Sequence, residues 1–517
     1  MQRPLVLCAV LLSLATALVA QTQSATVSVT GGRVAGVVLP DASVAFRGIP
    51  YAAPPVGDLR WRAPRPVRPW TQLRAAQPAH ACAQQNAGWN RGDFANASED
   101  CLYLSVDTPT LKPARPLPVM IWIHGGANYA GASGASWPAQ PEPLVAQGVV
   151  LVRIQYRLGL FGFLAHPELD RENGGHSGNW GLLDQVQALT WVRDNIAAFG
   201  GDPSNVTIFG QSAGAYDAYM LTVMPLARGL FHKAIYESAP SLDGMLRIND
   251  LAKEEQRTAR LISPAKPPAQ NQIAFLRALS TDEIIKLTPA YDTDGEGVIV
   301  DGRVLPEDPL DLFRSGKEAR IPLIVGTTAA EEAFPEDGDK LAEVIRATYS
   351  PAAQPILEAY GLTGSPMLAA PRVYGDRRHQ FATDIFYRCH SRDTALTHSR
   401  FARTWQYEWA RAIPGRESEG PVHTAELGHV FGTFFLGGAP TAYDNELSAK
   451  VIRYWTNFAK YGDPNDAHTP MWPAFDNTKK AHIEFGDEGP QIKYDLRPEP
   501  CRQLDAGDAS HRAEQKK

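Results

Sequence analysis

The chain has 517 residues, 44% of them hydrophobic and 21% charged, with a formal net charge of -6. That balance fits a folded globular protein and is far from the composition of a disordered or membrane-spanning chain. A mildly acidic chain carries no electrostatic footprint for nucleic acid or anionic lipid, so no nucleic-acid partner is expected.

In chain order, the first feature is Arg3 followed by an apolar run from Leu5 to Leu14, then the small residues Ala15, Thr16, Ala17 and Ala20. A positive start, a short apolar stretch and small residues make a secretory signal peptide over residues 1–20, with cleavage near Ala17 or Ala20. The expected location is therefore secreted or periplasmic. A membrane span needs about 20 apolar residues, and this run is shorter. Leu7 before Cys8 is too large for a lipoprotein box, so no membrane anchor is expected. The mature chain then holds four cysteines, Cys82, Cys101, Cys389 and Cys501. An even number in an exported protein suggests two disulfides, with four free buried thiols as the alternative. Neither C-x-x-C nor H-E-x-x-H occurs, so no metal and no other cofactor is expected.

No linker-like run divides the rest, and residues 21–517 are read as one domain with insertions. Residues 26–46 suggest antiparallel strands with glycine turns. From Leu117 onward, apolar β-branched runs alternate with amphipathic stretches. Strands are predicted at Leu117–Ile123, Val149–Tyr156, Asn205–Phe209, Ala234–Glu237, Ile321–Val325 and Thr404–Trp409. Helices are predicted at Trp180–Ala198, where Leu182, Val186, Leu189, Val192 and Ile196 recur every three or four residues, from Ala213 onward, and at Glu446–Tyr461. Such alternation implies an α/β fold with a large, mostly parallel central sheet covered by helices on both faces. Residues 241–295 show no sheet pattern and read as a helical insertion over the site, and the last sixteen residues as frayed.

Between a predicted strand and a predicted helix stands Gly210-Gln211-Ser212-Ala213-Gly214. In a G-x-S-x-G elbow the serine occupies a strained turn, and the flanking glycines remove side chains that would collide there. The hydroxyl then projects at a helix N-terminus, where N–H groups and the helix dipole favour a developing anion. Ser212 is the candidate nucleophile. It needs oxyanion donors and a base. His124-Gly125-Gly126-Ala127, directly after the strand Leu117–Ile123, matches a glycine-rich oxyanion loop, and the assigned donors are the N–H groups of Gly126, Ala127 and Ala213. The acid should end a later strand, and Glu331 and Glu332 follow Ile321–Val325. Eight histidines lie beyond them. His423, on the loop after Thr404–Trp409, is the preferred base, and His429, at an apparent helix start, is the runner-up.

Further segments carry a family resemblance. Phe46-Arg47-Gly48-Ile49-Pro50-Tyr51-Ala52 with Pro54-Pro55-Val56-Gly57, Ser98-Glu99-Asp100-Cys101-Leu102-Tyr103-Leu104, Asn179-Trp180-Gly181-Leu182 with Asp184-Gln185, Phe199-Gly200-Gly201-Asp202-Pro203, Tyr454-Trp455 with Asn457-Phe458, and Gly462-Asp463-Pro464-Asn465 occur in that order around the elbow. Over about Gly36 to Cys501 the chain resembles the type-B carboxylesterase and cholinesterase family. The resemblance implies the α/β-hydrolase fold with helical insertions over the active site. It also implies a small-molecule ester substrate, Glu331 as the acid and His423 as the base. It implies disulfides Cys82–Cys101 and Cys389–Cys501, a buried Arg60–Glu99 ion pair, and a Ser238 hydroxyl bonded near the acid.

Two positions depart from the family pattern: Thr328 stands where Asn is usual, and Asn128 where an aromatic or apolar residue is usual. Asn128 directly follows the oxyanion loop. It is read either as a polar residue near the acyl group, favouring short or polar acyl chains, or as a cap on its own loop. The function implied is hydrolysis of carboxylic esters through an acyl-enzyme on Ser212. The alternatives are a lipase or amidase on the same fold and a non-catalytic binding or adhesion protein.

Overall fold

The structure, a computed structural model, describes residues 24–133, 142–242, 248–287, 297–364, 366–434 and 436–515. The expected signal peptide lies outside the described residues. A twelve-stranded sheet organises the rest. Its strands are β1 (Ser24–Val29), β2 (Gly32–Val38), β3 (Val44–Pro50), β4 (Tyr103–Thr108), β5 (Leu117–Ile123), β6 (Val150–Ile154), β7 (Gly201–Gln211), β8 (Lys233–Glu237), β9 (Leu323–Thr328), β10 (Thr404–Trp409), β11 (Ala481–Gly486) and β12 (Gly489–Tyr494). Their spatial order is β1-β2-β3-β4-β6-β5-β7-β8-β9-β10-β11-β12. The run from β6 to β11 is parallel, and the flanking pairs are antiparallel, as the glycine turns near the N-terminus suggested.

Both faces of the central strands are apolar, because side chains alternate across a strand and helices cover each side. In β5, Ile121 and Ile123 enter one core with Leu189 and Val192 of the helix α1 (Trp180–Asn195). Met120 and Trp122 of the same strand enter the opposite core with Val451, Trp455 and Phe458 of the later helix Ala442–Tyr461. That helix begins four residues before the predicted Glu446, because Thr441 and Asp444 form a capping box that satisfies its first amides. The strand predicted at Asn205–Phe209 runs from Gly201 to Gln211. The helix α2 (Ala213–Val223) follows it at once.

Residues 251–287 are helical as expected, in the segments Leu251–Ile262, Gln272–Ala278 and Thr281–Leu287. A two-residue strand at Asn249–Asp250 also pairs with Ile299–Val300, a sheet contact too short to leave a periodic signal. The C-terminus corrects the expectation of fraying. Residues Pro498–Gln515 form a helix whose Leu504 is buried beside Leu341, Ile356 and Leu357. One apolar residue and one bonded cysteine hold an otherwise polar segment.

Both disulfides are present, Cys82–Cys101 and Cys389–Cys501, with sequence separations of 19 and 112 residues. Closing loops of those lengths restricts the unfolded chain by about 3 and about 5 kcal/mol in the chain-entropy model. Inside the first loop's framework, Arg60 grips Glu99 through Nε–Oε2 at 2.8 Å and Nη2–Oε1 at 2.5 Å, both side chains being buried. Its remaining nitrogen, Nη1, donates to Leu276 O and Leu279 O, which ties the helical insertion to this loop.

Candidate active site

All four predicted site segments emerge from the carboxyl ends of parallel strands: 124–128 after β5, Ser212 after β7, Glu331 after β9 and His423 after β10. In an open parallel sheet that edge is where a crevice forms.

Ser212 has φ 57° and ψ -128°, a conformation an L-residue adopts only under strain, and its N–H donates to Glu237 O at 2.9 Å. The turn is possible because its neighbours lack side chains. A Cβ on Gly214 would lie 2.0 Å from Ile123 O, and one on Gly210 would lie 2.5 Å from the Gly214 backbone. The oxyanion loop is packed against this elbow. A Cβ on Gly125 would meet Gln211 O at 2.6 Å and the Ser212 Cβ at 3.1 Å. Gly126 has φ 116°, and Ala127 and Asn128 follow in the left-handed region at 51° and 56°. Among the described residues, no acceptor meets the N–H groups of Gly126, Ala127 or Ala213, so they are available to an oxyanion.

His124 plays no basic part here. It is fully buried, stacked on Tyr156 at 4.5 Å, and burial pushes its pKa down to about 4. Its Nδ1 lies 2.9 Å from Gly125 O, and Tyr156 Oη donates to His124 O at 2.7 Å. The loop thus hangs on a neutral imidazole and a phenol.

On the other side, Glu331 Oε2 lies 2.5 Å from His423 Nδ1. Glu331 Oε1 accepts the Thr328 N–H at 2.7 Å, and the Glu331 N–H donates to Thr383 Oγ1 at 3.0 Å. The two loops also pair directly, His423 N–H to Glu331 O at 2.8 Å. Glu332 points away: it is exposed, with Tyr387 Oη at 3.4 Å from Oε1. Burial alone would lower the pKa of His423, but the charge and hydrogen bond of Glu331, with Glu332 and Glu426 behind it, raise it to about 9. Glu426 is itself pushed up to about 8 by burial and by the charge of Glu331. His429 is buried against Trp409 at 4.7 Å, with its pKa pushed down to about 4 by burial, which makes it part of the core.

The structure brings His423 and Glu331 into direct contact, and places Ser212 one residue from the group that meets the imidazole. Among the described residues, no hydrogen bond joins the Ser212 hydroxyl to His423. Gln211 Nε2 instead lies 3.1 Å from His423 Nε2. In the neutral imidazole, with Nδ1–H given to Glu331, Nε2 carries a lone pair to which the Gln211 amide can donate. Such resting contacts commonly rearrange when substrate binds.

Two sequence expectations fail. The Ser238 hydroxyl meets no partner among the described residues, while Glu331 Oε1 accepts the Thr328 N–H; what Ser238 contributes is its N–H, donated to Gly326 O at 2.8 Å. Asn128 neither faces an acyl group nor caps its own loop. It is 1% exposed and its Nδ2 donates to Asp217 Oδ1 at 3.0 Å. The left-handed backbone at Asn128 turns the side chain inward beneath the loop. Residues that sequence reasoning missed are Gln211, Glu426, Asp217 and Trp89. Trp89, 46% exposed on the Cys82–Cys101 loop, overhangs the oxyanion loop: its ring edge would be 3.2 Å from a Cβ at Gly126. Gln211 stands inside the elbow motif, but its contact with His423, like the placement of the other three, is set by long-range packing that no local pattern marks. Among the described residues, no group of three or more His, Cys, Asp or Glu could hold a metal ion. Likewise, no helix there is long and apolar enough to cross a membrane.

Comparison with known proteins identifies the family. The model of the carboxylesterase family matches residues 23–504. Human carboxylesterase 5A is 33% identical over 484 residues, covering 84% of this chain and 80% of that protein. The para-nitrobenzyl esterase of Bacillus subtilis (strain 168) is 34% identical over 458 residues, covering 83% and 88%. Fumonisin B1 esterase of Sphingopyxis macrogoltabida is 33% identical over 467 residues, covering 86% and 83%. Among solved structures, a PNB esterase superposes with a TM-score of 0.81 at 30% identity, covering 93% of this chain and 99% of its own.

Proposed function

This chain belongs to the carboxylesterase family and is a carboxylic ester hydrolase, and from that premise we propose that Ser212, His423 and Glu331 carry the reaction through an acyl-enzyme. The observation that supports it most is the convergence of a strained serine, unpartnered backbone donors and a carboxylate-bound imidazole at one sheet edge.

The substrate is a small-molecule carboxylic ester. Its carbonyl oxygen points at the N–H groups of Gly126, Ala127 and Ala213, which stabilise the negative charge as it develops. His423 Nε2 takes the proton as the Ser212 oxygen attacks, and the Gln211 amide withdraws from that lone pair. Glu331 holds the Nδ1–H tautomer and stabilises the imidazolium. Collapse of the tetrahedral intermediate passes the proton to the leaving alcohol. Water activated by the same imidazole then releases the acid.

Export belongs to the same reading. Residues 1–20 act as a signal peptide, and residues 21–517 form the single mature domain. The two disulfides support an oxidising compartment.

The test is Ser212→Ala, assayed with p-nitrophenyl acetate and with a fluorescent organophosphate. Removing such a nucleophile lowers kcat by on the order of 10⁶ and abolishes labelling. A folded variant that keeps more than a few per cent of activity, or still labels one-to-one, overturns the assignment.

A further inference from the structure

The polar residue after the oxyanion loop has a partner that explains it. Asn128 Nδ2 donates to Asp217 Oδ1 at 3.0 Å, and Gln185 Nε2 donates to Asp217 Oδ2 at 2.5 Å. All three side chains are buried, Asn128 at 1% exposure and the other two at 0%. We infer that Asn128 and Asp217 brace the two halves of the oxyanion hole against each other, which makes them positioning residues for ester hydrolysis. The inference rests on the roles proposed above for Ser212 and the backbone donors.

The brace joins the segments that supply the donors. Asn128 is the residue after Ala127. Asp217 lies four residues after Ala213 on α2, hence on the same helix face. A bond between them therefore fixes the distance from the loop donors, Gly126 and Ala127, to the helix donor, Ala213. The loop needs such a tie, because Ala127 and Asn128 are consecutive non-glycine residues with φ of 51° and 56°. Each such conformation is unfavourable for a residue with a side chain and persists only where surroundings hold it. The Asn128 carbonyl supplies one hold, accepting the Gly159 N–H at 2.7 Å, and its side chain supplies the other.

Behind Asp217 the brace continues into rigid structure. Gln185 sits in α1 next to Asp184, whose two oxygens take Arg157 Nε at 2.7 Å and Nη2 at 2.8 Å. Arg157 lies two residues before Gly159, so the ring of contacts closes on the loop it supports. Burial pushes the Asp217 carboxyl up to about 7, and the amides of Asn128 and Gln185 oppose that rise. A buried acceptor served by these two amides has no substitute for either, so removing one leaves an unsatisfied group.

The experiment compares Asn128→Ala, Asp217→Asn and the exchange Asn128→Asp/Asp217→Asn. In the exchange, the amide placed on the helix donates to the carboxylate placed on the loop and accepts from Gln185 through its oxygen, restoring both bonds with the donor reversed. A sub-ångström shift of the donors predicts a fall in kcat between about 10-fold and 100-fold for each single variant, with KM for p-nitrophenyl acetate little changed. A trifluoromethyl ketone, whose hemiketal oxygen occupies the hole, should weaken by a similar factor. The organophosphate titration end point should stay at one per chain. The exchange should recover kcat to within about threefold, which a merely structural role does not require. Single variants that lower Tm with kcat unchanged overturn the brace, as does an exchange variant that folds with no recovery. Activity surviving in Ser212→Ala would instead overturn the proposed reaction, so the two failures are distinct.

Discussion

The proposed nucleophile side and the proposed acid–base side of this site are built by opposite means. Around Ser212 the decisive residues are glycines: Gly125, Gly126, Gly210 and Gly214 each lie so close to neighbouring backbone that a Cβ has no room. Around His423 the decisive groups are buried polar side chains, Glu331, Thr383 and Glu426, gathered from segments about 40 to 90 residues apart. The donor half is therefore sensitive to added volume, and the acid–base half to lost charge and hydrogen bonding. A backbone oxyanion hole cannot titrate; an imidazole held by a carboxylate must.

That contrast is broken most severely at the acid. Glu331→Gln keeps shape but removes the charge that stabilises the imidazolium, and kcat should fall by on the order of 10⁴ with the fold intact. The same variant sharpens the electrostatic half of the comparison. His423 must be neutral to act as a base, so kcat/KM should rise with pH through an apparent pKa above the ordinary 6.5, toward about 9. Burial opposes that raised value and Glu331 supplies most of it, so in Glu331→Gln the acidic limb should move to lower pH. A pH–rate profile of the two proteins checks the sign; an unmoved limb would remove Glu331 from contact with the base.

On the donor side, Gly126→Ala places a Cβ 2.0 Å from Ala130 O at a φ of 116°. Displacing one donor predicts a loss of about 10²–10³ in kcat, with no shift of the acidic limb. If the limb moves as well, the two halves are less independent than the geometry implies. Cys389→Ser with Cys501→Ser touches neither half, and should lower stability by about 5 kcal/mol in the chain-entropy model while leaving kcat of the surviving fold near wild type. Denaturant unfolding with and without reductant measures it. The smallest effect belongs to Glu332→Gln. Its side chain is exposed and reaches His423 only through solvent-screened charge, so kcat should change less than about threefold.

The sequence by itself determined the elements and the chemistry that depends on local backbone. The elbow, the glycine loop and the strand–helix alternation are short-range patterns, because a strained turn demands glycine at fixed offsets and a two-sided sheet demands continuous apolar runs. Cys82–Cys101, Cys389–Cys501 and Arg60–Glu99 were legible only through resemblance, since nothing in their spacing selects partners. Only the tertiary structure decided what the buried polar side chains do. Position alone suggests that Asn128 faces substrate or caps its own loop, yet it turns beneath that loop to Asp217. Resemblance suggests that the Ser238 hydroxyl bonds near Glu331, yet the Thr328 backbone meets that carboxylate instead. The C-terminal segment looked frayed by composition, yet Leu504 and the bonded Cys501 hold it as a helix. In each case one or two contacts between residues distant in sequence outweigh the local preference. A buried donor or acceptor must find a partner wherever the fold brings one.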